Sequence, residues 1–95
     1  KVYGSTIFTK NTSTVTLNCS YQDEQWNLEW RRQVNGSKQL QLSQHTAIIK
    51  DLPKELYARL EVYVKDSSRY YYLIIHDATT ADEGEYVCSD NNEKE

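Results

Sequence analysis

The sequence predicts an all-β domain built as a two-sheet sandwich. Three observations predict it: short runs alternate polar and apolar residues with the period of a half-buried strand, turn residues separate these runs, and two cysteines sit far apart on inward-facing positions. With 95 residues, the chain is expected to form one domain over 1–95, without repeat, linker or low-complexity segment. A domain of this size buries about 60–65% of the surface its unfolded chain exposes, so a covalent brace helps it. Two cysteines allow just one intramolecular bond.

Thr14 to Cys19 alternates strictly, which sends Val15, Leu17 and Cys19 inward. In the next run Leu28 and Trp30 share one face, and Glu29 and Arg31 take the other. Between Lys38 and Lys50 there is room for two short strands. The segment from Asp51 to Leu60 carries the sole helical pattern, because Pro53 can open a turn and Leu56, Tyr57 and Leu60 fall at helical spacing. Amid so many strands it is expected not to form a helix. Leu60, Val62 and Val64 then alternate with Glu61 and Tyr63, and Tyr71, Leu73 and Ile75 alternate with Tyr72, Ile74 and His76. Asp66 to Arg69 separates these two runs as a hairpin turn, and Gly4 and Gly36 are assigned to turns as well.

The densest pattern surrounds the cysteines. Trp30 follows Cys19 by 11 positions, and the second cysteine closes the run Asp82-Glu83-Gly84-Glu85-Tyr86-Val87-Cys88. A bond between Cys19 and Cys88 would close a loop of about 70 residues, which the chain-entropy model values at roughly 4 kcal/mol. Tyr86 can turn its hydroxyl back to the backbone upstream, with Gly84 allowing the close approach at the corner.

At these residues the sequence resembles the immunoglobulin superfamily. The resemblance rests on Cys19, Trp30, the Asp82-x-Gly84-x-Tyr86-x-Cys88 signature and the Tyr71-x-Leu73-x-Ile75 strand, and it covers most of the chain. It implies an immunoglobulin-like Greek-key sandwich with a Cys19–Cys88 disulfide and a core of Trp30, Leu73 and Tyr86. Trp26 competes for the tryptophan position, but its neighbours Gln25 and Asn27 are polar. The 27 residues between Trp30 and Ala58 leave room for two extra edge strands, around Lys38 to Leu42 and His45 to Lys50, and Trp30-Arg31-Arg32-Gln33 is similar to the Trp-x-Arg-Gln of variable-type domains. Arg59 and Asp82 match the positions of the ion pair in such domains, so the resemblance is to the V-set. As an exposed pair it would be worth about 0–1 kcal/mol. Two departures stand out. Arg31 replaces the aromatic that antigen-receptor domains commonly place in their pairing interface, and no Gly-x-Gly strand follows Cys88. With only seven residues after Cys88, the domain is expected to be incomplete or trimmed, or its final strand to be absent or supplied by another chain; if it is absent, the strand of Val87 and Cys88 is an open edge.

Composition narrows the function. A net charge of −3 with scattered Lys and Arg argues against nucleic acid as a partner, and no apolar run approaches the ~20 residues of a membrane span. Any membrane attachment would therefore lie outside this chain. Catalysis is not expected, since both histidines lack a nucleophile context and both cysteines belong to the core. Asp77, Asp82, Glu83 and Glu85 lack the spacing of a calcium loop and read as a solvated corner. No cofactor or metal is implied.

Asn11, Asn18 and Asn35 head three glycosylation sequons, which favours an extracellular glycoprotein. Because Cys19 points inward, Asn18 points outward, and a sugar there would hinder partners on that sheet. Tyr63, Tyr70 and Tyr72 face the same way; exposed rings of this kind are good contact residues, but they are expected instead to pack across neighbouring strands or beneath the glycan. On the other sheet Glu29, Arg31, Gln33, Glu85 and Val87 face out, as a candidate binding face of mixed charge that could pair with itself. Gln22 to Gln25 and Asp90 to Asn92 lie where variable domains carry recognition loops. By resemblance, the chain is expected to be the membrane-distal domain of a single-pass cell-surface glycoprotein. Its partner would be a protein on an opposing cell, through adhesion or homophilic self-recognition. An immune-type receptor for a different protein or a glycan is one alternative, and a structural spacer another.

Overall fold

The computed structural model describes residues 2–7, 13–21, 28–36, 38–65 and 67–90. The strands are β1 (Val2–Ile7), β2 (Ser13–Ser20), β3 (Leu28–Asn35), β4 (Lys38–Gln41), β5 (Ser43–Gln44), β6 (Ala47–Ile48), β7 (Leu60–Lys65), β8 (Tyr70–Ala78) and β9 (Gly84–Asp90). A helix, α1 (Lys54–Arg59), precedes β7. One sheet runs β1-β9-β3-β4 and the facing sheet β2-β8-β7, with β5 and β6 forming a separate ribbon. All pairings are antiparallel.

The two sheets close on the residues that the alternation placed inward. Leu17 and Cys19 of β2, Leu28 and Trp30 of β3, Tyr71, Leu73 and Ile75 of β8, and Tyr86 and Cys88 of β9 are buried in one cluster. Cys19 and Cys88 are joined across the sheets by a disulfide, with Cα atoms 6.5 Å apart. Trp30 is fully buried, lies opposite Cys88 in the β3–β9 register, and stacks on Tyr71 of the facing sheet with ring centroids 6.2 Å apart. Trp26 lies outside the described residues.

The β2–β8 register slips between Ser13 and Val15, where three residues of β8 answer two of β2. Asp77 sits at this bulge with φ 54°, and the extra residue brings Ala78 into the core. Strict alternation along β8 would have turned Ala78 outward.

Several expectations need correction. Residues 54–59 do form a helix: Tyr57 N–H donates to the Pro53 carbonyl at 2.9 Å, and Glu55 pairs with Arg59 one turn on. Anchoring of Arg59 on Asp82 outweighs the shortness of the segment. The first extra strand forms and runs along β3, continued by Leu42 N–H to the Trp30 carbonyl and His45 N–H to the Leu28 carbonyl. The second shrinks to Ala47–Ile48 and folds back on β5, because His45 takes a left-handed φ of 51° and reverses the chain. Gly4 is in a strand, whereas Gly36 occupies a turn with φ 57°.

The edge of β9 is not open. β1 runs antiparallel beside it from Val2 opposite Ser89 to Ile7 opposite Gly84. A six-residue ladder satisfies backbone groups that an uncovered edge would leave to water or to another chain.

Candidate binding face

The outer surface of β9, β3 and β4 gathers the side chains on which the sequence pointed to binding. Arg31 lies opposite Val87 on one side and Gln41 on the other, and Glu29 lies opposite Ser89. Glu29 and Val87 are nevertheless buried, at 3% and 6% exposure, contrary to their expected solvation. For Glu29 the partners explain it. Its Oε2 accepts from Arg31 Nε at 2.8 Å and pairs with Arg31 Nη2 at 2.7 Å, while Oε1 accepts from Gln41 Nε2 at 2.7 Å and Ser89 Oγ donates to Oε2 at 3.5 Å. A carboxylate survives burial when its charge is paired and its lone pairs are used. Gln41 Nε2 also reaches the Ser43 carbonyl at 3.3 Å.

This network draws together three strands and leaves a polar rim. Arg31 and Gln33 are half-buried, Gln39 and Glu85 are exposed, and Gln39 Nε2 donates to Gln33 Oε1 at 3.1 Å. Gln33 also donates to the Gly36 carbonyl at the turn. Of the expected recognition loops, residues 22–25 and 91–92 lie outside the described residues, and Asp90 is not in a loop but ends β9 opposite Leu28.

Beneath the face lies a second polar network that alternation could not reveal. The Trp30 backbone N–H donates to Ser43 Oγ at 3.1 Å, and Ser43 Oγ is 2.9 Å from the Tyr71 hydroxyl. Tyr71 has one proton to give, and its best acceptor is the His45 carbonyl at 2.6 Å, with the Leu28 carbonyl at 3.3 Å. Ser43 must then donate to Tyr71. Burial pushes the Tyr71 phenol up to about 12, opposed by the Ser43 hydrogen bond and reinforced by the Glu29 charge.

At the opposite end, Arg59 and Asp82 form a two-pronged pair, Nη1 to Oδ2 at 3.0 Å and Nη2 to Oδ1 at 3.1 Å. Their side chains are 18% and 5% exposed, so this is a largely buried brace and not the exposed pair expected. Burial alone would raise the Asp82 carboxyl, but hydrogen bonds from Arg59 and the Thr79 N–H, with the charges of Arg59 and Arg32, hold it below the usual carboxylate range. The hydrogen bond to Asp82 likewise raises Arg59, against a smaller effect of burial. Arg59 Nη1 also reaches the carbonyls of His76 at 3.1 Å and Asp77 at 3.4 Å, which ties down the β8 bulge. Tyr86 donates to the Asp82 carbonyl at 2.6 Å, as its place before Cys88 suggested. Arg32, to which sequence reasoning gave no role, donates to the carbonyls of Ala81 at 2.9 Å and Glu83 at 3.0 Å and lies 5.6 Å over the Tyr86 ring. Gly84 takes φ 150° against Arg32, a backbone conformation closed to other residues without strain.

These elements are two sheets, a disulfide between them, a tryptophan packed on the core and a tyrosine tied to the corner. The sequence matches the family described as Immunoglobulin V-set domain over residues 5–95. The chain belongs to the V-set family. A solved structure described as a marsupial T cell receptor resembles this V-set domain with a TM-score of 0.65 at 20% identity, over 98% of the present chain and 30% of the other. At that identity the likeness is one of fold. The chain spans under a third of that receptor chain. No curated protein shows significant sequence similarity to the present chain. Among the described residues, no helix of the V-set domain is long and apolar enough to cross a membrane.

Proposed function

We propose that this V-set domain is the extracellular recognition module of a cell-surface glycoprotein, of immune-receptor type, and that it binds a protein on an opposing cell through the outer surface of β9, β3 and β4. The observation that carries the reading is the Glu29–Arg31–Gln41–Ser89 network. It locks three strands into a platform before any partner arrives, and the rim of Gln33, Gln39 and Glu85 offers donors and acceptors in fixed places. The V-set family and the receptor-like fold support recognition rather than catalysis, by analogy of fold.

Within this reading a different protein is favoured over self-recognition. A two-fold contact between like faces would most simply set Arg31 of one copy against Glu29 of the other, yet these two are already paired inside each chain. Beads coated with the whole ectodomain are the direct test. They are expected to stay dispersed and to bind other cells, and Gln33→Arg with Glu85→Lys, both outside the buried network, is expected to weaken that binding at least tenfold. Clumping of the beads would instead establish homophilic adhesion. Loss of binding after sugar removal from the target cells would point to a glycan ligand, and inertness in every arm would leave only a spacer.

A further inference from the structure

The other sheet carries an arrangement that the recognition reading leaves unused. Asn18 of β2 is exposed and stands opposite Tyr72 of β8, which stands opposite Tyr63 of β7. Residues in register across antiparallel strands share a face, so the asparagine and both tyrosines form one row pointing out of the sandwich. The rings are stacked together. Tyr63 and Tyr72 lie 5.9 Å apart at 26°, and Tyr70 lies 5.9 Å from Tyr72 at 47°. Even so, Tyr63 stays 52% exposed and Tyr70 38% exposed. No hydrogen bond from another described residue engages the Asn18 amide. Asn18 heads the sequon Asn18-Cys19-Ser20, in which Ser20 is also exposed.

We infer that Asn18 carries an N-linked glycan whose first sugars lie along the Tyr72–Tyr63 row, with Tyr70 as its side wall. Attachment joins Asn18 Nδ2 to the anomeric carbon of N-acetylglucosamine from a lipid-pyrophosphate-linked oligosaccharide. Nδ2 loses a proton and the lipid pyrophosphate leaves. Two strand spacings put the Tyr63 ring on the order of 10 Å from Asn18, within reach of the sugars that begin every such glycan. The electron-rich ring faces attract the polarised C–H groups on the less polar side of a pyranose. Tethering at Asn18 holds the sugar at high effective concentration over the rings, which favours it there over any free protein partner. A seated glycan closes this sheet and leaves the β9-β3-β4 surface as the open one. The inference needs the extracellular reading only for passage past the glycosylating enzyme.

The test uses the ectodomain secreted from a eukaryotic host with isotope-labelled sugars. Site mapping should find Asn18 occupied, and the acetyl methyl and ring protons of its first sugar should be shifted upfield by ring currents relative to a free glycopeptide. Where site mapping also finds sugars on Asn11 or Asn35, they provide an internal comparison in the same molecule. Enzymatic removal of the glycans should lower Tm by several degrees in the unmodified sequence and by less than half as much in Tyr63→Ser. An unoccupied Asn18, unshifted sugar protons, or equal Tm losses would overturn the inference. Each of those results leaves the bead assay intact, so failure here is separable from failure of the recognition reading. The proton shifts need no variant, so a misfolded Tyr63→Ser would not rescue the idea.

Discussion

The two outer faces of the sandwich are organised by different physics. On β9, β3 and β4 a buried carboxylate is held by a guanidinium, an amide and a hydroxyl, so the surface is ordered by directional, charged contacts that are costly to break singly. On β2, β8 and β7 three tyrosines lean on one another, half in solvent, and each contact is weak and replaceable. The parts of the first face depend on one another, and those of the second do not.

Substitutions can break this contrast. The largest effect is expected from Arg31→Ala, which leaves the Glu29 carboxylate buried without its cation and should cost about 3 kcal/mol in urea unfolding. Replacing both partners, Arg31→Gln with Glu29→Gln, should recover most of that loss. Equal losses in single and double variants would show that the face is not a coupled unit.

Arg59→Ala at the base should cost a similar or slightly smaller amount, about 2–3 kcal/mol, because Asp82 keeps only the Thr79 N–H and the Arg32 charge nearby. It also alters the acid response. Asp82 titrates lower in the folded than in the unfolded chain, so its contribution is complete above about pH 4 and is lost as pH falls through the folded value. The variant's stability should therefore fall less between about pH 4 and pH 2 than that of the unmodified domain, measured by thermal melts across that range.

Tyr71→Phe is expected to cost about 1–3 kcal/mol, because the Ser43 hydroxyl and the His45 carbonyl lose their partner in the core. The phenol's folded value of about 12 lies above its unfolded value of about 10. Its contribution is thus present below pH 10 and disappears as pH climbs towards 12, and the alkaline limb of the stability curve should flatten in Tyr71→Phe.

The smallest effect belongs to the tyrosine face. Tyr63→Ala in the unglycosylated chain should change stability by about 0.2–1 kcal/mol. A loss above about 2 kcal/mol would mean that the rings are as interdependent as the charge network opposite.

Much of this was readable in the chain because it depended on local pattern. Alternation placed Leu17, Cys19, Leu28, Trp30, Leu73 and Ile75 inward, and the spacing around Cys88 led to the corner where Tyr86 binds the Asp82 carbonyl. Pattern failed where a third residue intervened. Glu29 alternates outward like any surface glutamate, and only the convergence of Arg31, Gln41 and Ser89 from three strands allows it to be buried. Helix α1 shows the same from the other side: Pro53, the Leu56, Tyr57 and Leu60 spacing and the Arg59–Asp82 pair were each visible, but not that the pair is buried and ties Arg59, at the helix end, to a residue 23 positions away.

By itself the sequence determined the V-set sandwich, its disulfide partners and the direction of the strand residues away from the β8 bulge, because period-two alternation and a single cysteine pair leave little choice. The tertiary structure alone decided which outward residues are covered, how β1 closes the edge of β9, and where Asn18 meets its tyrosines. Those outcomes depend on register between strands distant in the chain, and register is a property of pairs that no single strand encodes.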